Sequence, residues 1–300
     1  MTRISTQMMY QRAVTAMLDQ QSKVGNTQLQ ISSGKRILTP ADDPAGAARV
    51  IDFTRAIATL DQYNNNANRA TTRLTFEESA LVGTENIFLR VKELAVQGSN
   101  DLLTVENRRA IAAEIRELRD GVLGLANTRD AQGEYIFAGY QTGTRPFNDA
   151  PGAVVYNGDV GNRQLQVSSM RKIADGNNGR DVFMEVDTAA GKRSMFDTLD
   201  RIADDLEAGL TVSGYLDDID LALSHTLTVR ATVGARMNAI DEQVAVNEDV
   251  KLVMETSLSD EQDVDIVEAI TRYERQMTAL QAAQQSYLKM TELSLFDFMR

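Results

Sequence analysis

The sequence predicts a mainly α protein: an elongated antiparallel helical rod with terminal coiled-coil helices and a small β-rich insertion domain. Three observations carry this. Apolar residues recur at steps of three and four along both ends and most of the interior, the spacing of one helix face. All four prolines lie between Pro40 and Pro151, which leaves long uninterrupted helices possible elsewhere. A single stretch of about 50 residues abandons that spacing for short β-branched and aromatic runs punctuated by Gly, Pro, Asn and Asp.

In the first segment Tyr10, Val14, Met17, Gln21, Val24, Gln28 and Ile31 alternate at steps of four and three, the seam of a coiled coil, with Ile4 and Met8 preceding them. Residues 24–34 carry no charge. Ser32-Ser33-Gly34 stops this helix, and Lys35 and Arg36 fall at its carbonyl end, where cations are favoured. Asp43 and Pro44 read as the N-cap and first residue of a second helix. Its stripe runs from Val50 through Phe53, Ile57, Leu60, Leu74, Leu81, Phe88 and Val91 to about Gln97. At 1.5 Å per residue that is about 80 Å, too long for a compact globule.

Gly98-Ser99-Asn100-Asp101 turns the chain, and Thr104 caps a helix with Ile111, Ile115, Leu118, Val122 and Leu125 on one face, short enough to fold back on the second. After a break at 128–133 the runs at 135–140, 154–156, 165–167 and 182–186 read as strands. Helical spacing resumes with Phe196, Leu199, Ala203, Leu206 and Leu210, and a further long helix runs from Leu216 to Leu258. Ser259 and Gln262 form a capping-box-like start to the terminal helix. That helix carries Ile266, Ile270, Tyr273, Met277, Leu280 and Tyr287 as a stripe, followed by Leu293 and Phe296. Both termini are predicted at one end and the insertion at the other, in three parts: a terminal coiled-coil domain (1–38 plus 259–300), a helical rod domain (39–134 plus 195–258) and a β-rich outer domain (135–194).

Residues 276–288 contain no charge at all, only Gln, Ala, Thr, Ser, Met, Leu and Tyr. Desolvating a charge costs several kcal/mol, whereas amides and hydroxyls can be satisfied by hydrogen bonds, so a helix neutral all round suits enclosure by other helices. The natural partner of the last stripe is the first. Each well-buried apolar side chain contributes about 1.5–3 kcal/mol against about 1–2 kcal/mol of backbone entropy per ordered residue, so an isolated pair is marginal. The two ends are therefore expected to become ordered when several copies pack together.

Composition narrows the function. With a formal charge of −12 and no basic run, the 300-residue chain would be repelled by nucleic acid and anionic membranes, and neither is expected as a partner. Zero cysteines exclude disulfides, thiolate metal sites and thiol catalysis. No apolar run reaches the length of a membrane span, and the N-terminus lacks the apolar core of a cleaved signal peptide. His225, the single histidine, has no second His or Cys to work with. The clusters Asp217-Asp218-Asp220 and Asp260-Glu261-Asp263-Asp265 lack the glycine and distal glutamate of a calcium loop and fall near helix starts, where acids are favoured. Residues 158–161 form no phosphate-binding loop. No enzyme activity, cofactor or metal is expected.

The run Ser32-Ser33-Gly34-Lys35-Arg36-Ile37-Leu38-Thr39-Pro40-Ala41-Asp42-Asp43-Pro44-Ala45-Gly46 resembles the signature after the first helix of the bacterial flagellin superfamily, as do residues 90–97 and the Ser294-Leu295-Phe296 region. Within it, residues 3–10, the segment 135–142 with Pro146-Phe147, and residues 278–282 resemble the hook–filament junction subfamily rather than filament flagellin. The resemblance covers about 1–147 and 215–300. It implies a structural, extracellular component of the flagellum, exported by the type III pathway without cleavage. The implied partners are further copies in a ring-like or helical oligomer, hook-associated protein 1 below, flagellin above, and a cytoplasmic export chaperone on the C-terminal region. The apolar stripe residues of the two terminal helices, from Ile4 to Ile31 and from Ile266 to Phe296, are the expected assembly interface. Two alternatives stand beside this: filament flagellin itself, and a binding module on the β insertion, with Tyr156 and Phe183 as its aromatics.

Overall fold

The computed structural model describes residues 2–188 and 191–298, with side chains at 8–188 and 191–289. The chain is mainly α. Helices α1 (Thr2–Ser33), α2 (Pro44–Gly98) and α3 (Val105–Ala126) precede three antiparallel hairpins, and α4 (Met195–Glu207), α5 (Leu216–Gln262) and α6 (Ile266–Phe298) follow. The hairpins pair β1 (Phe147–Ala150) with β2 (Ala153–Tyr156), β3 (Gln164–Gln166) with β4 (Lys172–Ala174), and β5 (Val186–Thr188) with β6 (Gly191–Arg193). Two compact units result, one of Met1–Thr59 with Val250–Arg300 and one of Leu60–Asp249.

The 60–249 unit holds the main core. Leu74, Leu81, Phe88 and Val91 of α2 are fully buried with Ile115 and Val122 of α3, Leu199, Ile202 and Leu206 of α4, and Ile219 and Val233 of α5. Thr104 caps α3 by accepting from the Asn107 N–H, and Ser194 caps α4 by accepting from the Asp197 N–H. The α2–α3 and α4–α5 turns meet at one end of this unit. There Arg108 donates to the carbonyls of Asn100 and Gly209 at 3.1 and 2.9 Å.

The insertion does not occupy that end of the unit. Helix α3 is only 22 residues long and runs back along α2, with Arg90 against Glu114 at 2.8 Å and Arg73 against Asp130 at 3.0 Å. The insertion therefore begins level with Arg73 and packs on residues 64–77 of α2. Asn66 donates to the Gln166 carbonyl, and Asn247 of α5 donates both to the Val167 carbonyl and to Asn64 Oδ1. These amides satisfy backbone groups that a short hairpin would otherwise leave bare.

Of the predicted strands, residues 135–140 and 182–185 do not form strands. Residues 135–140 form tight turns: the Tyr135 and Ile136 N–H groups donate to the Thr142 and Thr128 carbonyls, while the Tyr135 and Ile136 carbonyls accept from the buried guanidinium of Arg73 at 2.8 and 3.2 Å. A ladder would need those same groups. The run at 182–186 opens instead as a wide π-helical turn, Arg180–Met184, started by Asn178 Oδ1 accepting from the Asp181 N–H. That turn drives Phe183 into a cluster with Phe137, Phe147 and Phe196, ring centroids 5.0–6.2 Å apart. The edge-on pairs of Phe183 with Phe137 and Phe147 each add about 0.5–1.5 kcal/mol beyond burial.

Phe183 is fully buried and Tyr156 spends its hydroxyl on the Phe137 and Asp159 carbonyls, so neither ring lines a ligand surface. Replacing Phe183→Ala should lower the stability of the 60–249 unit by about 3–5 kcal/mol, read as a fall in its calorimetric transition, with α1 and α6 unaffected.

Candidate assembly interface

The unit built from 1–59 and 250–300 is organised by a joint between two helix breaks. Gly34 sits in the left-handed region at φ 72° and ends α1. The Arg36 N–H then donates to the Gln262 carbonyl at 2.7 Å, and the Val264 N–H donates to the Gly34 carbonyl at 2.9 Å. These bonds stop α5 at Gln262. The terminal helix accordingly begins at Ile266 and not at Ser259: Asp265 Oδ1 accepts from the Val267 and Glu268 N–H groups, and the Ser259 hydroxyl goes to Asp263.

The rest of the run at 32–46 supports the same joint. Ile37 is buried, and Asp42 Oδ2 accepts from the Leu38 and Thr39 N–H groups, which holds its carboxyl below the usual carboxylate range. Asp43 Oδ1 accepts from the Gly46 N–H to cap α2, with Pro44 as its first residue. A Cβ on Gly46 would meet Asp43 Oδ2 at 2.5 Å and Ile37 Cδ1 at 2.6 Å, so cap and plug both require glycine there. Glu261 accepts a bidentate pair from Arg49 at 2.9 and 2.8 Å and a bond from Arg36 at 3.3 Å. The Arg49 hydrogen bonds lead in holding the Glu261 carboxyl below its ordinary range.

Beyond the joint, α1 and α6 pair. Tyr10 meets Tyr287 edge-on with centroids 6.2 Å apart. Val24 is buried, and Tyr10, Val14, Met17 and Ile31 are partly buried, as are Tyr273, Met277, Leu280 and Tyr287 on α6. Met8, Ile266 and Ile270 are exposed, and the side chains of Ile4, Leu293 and Phe296 lie outside the described residues. The polar members of the α1 seam are Gln20 and Thr27, while Gln21 and Gln28 face outward. Gln20 Nε2 donates to the Gln276 carbonyl at 3.0 Å, and the buried Thr27 hydroxyl donates to Gln276 Oε1 at 2.8 Å. Apolarity alone does not fix this phase, because Ala13 and Val14 serve equally at the first step. The three uncharged polar residues that find one another across the helices decide it.

Each helix keeps a second face. On α1, Leu18 and Leu29 are more than half exposed on a face shared with Ser22 and Gly25, and on α6, Val267 is 76% exposed beside Ile266 and Ile270. The His225 ring contacts the Asp181 carbonyl at 3.0 Å, Asp218 pairs with Arg193 and Asp220 with Lys92. Among the described residues no group of three acidic or histidine side chains could hold a metal, and no helix is long and apolar enough to cross a membrane.

A helical chain whose two ends fold together as a pair is of the flagellin type, and residues 4–142 match the bacterial flagellin N-terminal helical region. The chain belongs to the flagellar hook-associated protein 3 family: it is 33% identical to flagellar hook-associated protein 3 of Escherichia coli (strain K12), over 98% of this chain and 99% of that protein. The Salmonella typhimurium protein of the same name is 29% identical over 99% and 100%. The fold is also that of the Xanthomonas campestris FlgL crystal structure, at a TM-score of 0.63 and 24% identity over 69% of this chain and 99% of that one. These relatives are structural flagellar proteins, and the chain is a structural flagellar component and not an enzyme.

The seam assigns different weights to neighbouring glutamines. Gln276→Ala removes the acceptor of Thr27 and should weaken the α1–α6 pair by about 1–2 kcal/mol, whereas Gln21→Ala should stay within about 0.5 kcal/mol. Hydrogen exchange of the α1 amides in the two variants separates them.

Proposed function

We infer that the chain is the adaptor that joins the flagellar hook to the filament. The observation that carries this reading is likeness over 98% of the chain to flagellar hook-associated protein 3, against 43% for the Clostridium tyrobutyricum flagellin, which is 34% identical where it matches. Filament flagellin is the less favoured reading for that reason. The mechanism is packing. The α1–α6 pair presents Leu18, Leu29, Ile266, Val267 and Ile270 outward, residues 24–34 and 276–288 carry no charge, and such faces gain from enclosure by the same helices of neighbouring copies.

On this reading the stripe residues of α1 and α6 form the assembly interface of a ring-like or helical oligomer, and residues 39–134 with 195–258 set lateral spacing as a rod domain. The outer domain, 135–194, is free to vary. Hook-associated protein 1 lies below the oligomer and flagellin above it. The location is extracellular, reached by type III export without cleavage, with a cytoplasmic chaperone on the C-terminal region beforehand.

Truncation before Tyr287 should abolish incorporation at the hook while the 60–249 unit keeps its melting transition; a truncated chain that still supports filament growth overturns the mechanism. Deleting the gene should leave hooks in place with flagellin shed into the medium, scored by electron microscopy. Loss of all polymer including hook-attached stubs, with no flagellin in the medium, would point to filament flagellin instead.

A further inference from the structure

Glu77 is a fully buried carboxylate of the insertion's docking surface that no cation among the described residues neutralises at contact distance. It is fully buried on α2, Oε1 accepts from Asn177 Nδ2 at 2.7 Å, and Oε2 is buried without a hydrogen-bond partner. Of the cations that face it from the packed elements, Arg73 and Arg163 are committed to other carboxylates, and Arg236 acts on it only from beyond contact distance. Arg73, one turn back on α2, is held by Asp130, Glu134 and Asp175 at 3.0, 3.5 and 4.0 Å. Arg163 of the β3 strand region pairs with Asp175 and Glu134 at 2.6 and 3.2 Å, and Arg236 of α5 reaches the Gly176 carbonyl at 3.4 Å. Glu77 itself makes no ion pair among the described residues. The backbone at Gly176 closes over it, with room for a Cβ only 3.6 Å from Oε2.

An ionised carboxylate left unpaired in such a site costs far more than a protonated one, and burial pushes the Glu77 carboxyl up to about 7, with the Asn177 hydrogen bond and Arg236 opposing. We propose that Glu77 is a pH-responsive clasp: as the neutral acid it lets the 176–183 segment close onto α2, and its ionisation loosens that segment.

The direction is fixed by linkage. In the open segment the carboxyl titrates near its ordinary 4.5, and in the closed one near 7, so the closed state binds the extra proton between them. The stabilisation is complete below about 4.5, is lost as pH rises to about 7, and stays lost above. Dependence on pH in this window has the opposite sign to that from the paired carboxylates Asp42 and Glu261, whose lowered values make them lose stabilisation in acid. The Gly179 N–H, which donates to the Phe137 carbonyl at 2.8 Å, and the Asp181 N–H, which donates to Asn178, report closure.

Hydrogen exchange of the full chain, corrected for the intrinsic pH dependence, tests this. Protection at Gly179 and Asp181 should fall about tenfold or more between pH 5 and pH 8, while amides of α4 hold theirs. In Glu77→Gln the same amides should change less than about twofold over that range. A wild-type chain with flat protection overturns the clasp, as does Glu77→Gln with the wild-type pH dependence. A second measurement on the wild type needs no variant: the side-chain carboxyl carbon of Glu77, followed by NMR, should titrate well above 4.5, and an ordinary midpoint overturns the proposal.

Discussion

Two backbone hydrogen bonds, Arg36 N–H to the Gln262 carbonyl and Val264 N–H to the Gly34 carbonyl, set the terms for both ends of the chain. Helices α2 and α5 are 55 and 47 residues long, and nothing in their apolar repeats says where α2 must begin or α5 must stop. The joint sets where α2 begins and α5 ends by bonding the backbone just past α1 to that at the end of α5, with Asp43 and Asp265 capping the helices that follow. Helix ends buried without partners are costly, so pairing the two breaks makes each the cap of the other. Once fixed, the breaks place α1 beside α6, and the seam follows.

The same logic explains why the short run at 32–46 carries so much identity. Gly34 turns the chain, Ile37 plugs it, Asp42 and Asp43 gather N–H groups, Pro44 starts α2, and Gly46 leaves room for plug and cap. Each role tolerates few residue types, and together they hold Arg36 and Arg49 against Glu261. The pattern was therefore readable in the sequence as local chemistry. Its long-range half was not, because Gln262 and Val264 bond through their backbones and carry no mark of it in their side chains.

Legibility elsewhere followed the same line. The helices, the caps at Asp43 and Thr104 and the strand at 154–156 are local, and their spacing announced them. The segments 135–140 and 182–186 read as strands because apolar and aromatic runs are common to strands and to any backbone buried on both sides. Their fates were decided by Arg73, which takes two carbonyls, and by Asn178, which opens the wide turn. The seam was found, but its polar steps were off by one position, since Gln20 and Gln21 differ only in what waits across from them. Met8, Ile266 and Ile270 belong to the apolar repeat and yet lie open, which separates pairing within the chain from whatever covers the helices outside it.

The distribution of polarity across the α1–α6 pair has a cost for the solitary molecule. An ordinary water-facing helical hairpin hides its oil and displays its charges, whereas here amides and a hydroxyl line part of the interior and leucine, isoleucine and valine look outward. Keeping such a molecule dispersed falls to the remainder of the polypeptide, with its excess of acidic residues and its ion pairs at the surface. Dissolving and assembling are thus assigned to separate stretches of one chain, and a fragment holding only the ends would lose most of the acidic excess that the whole chain carries.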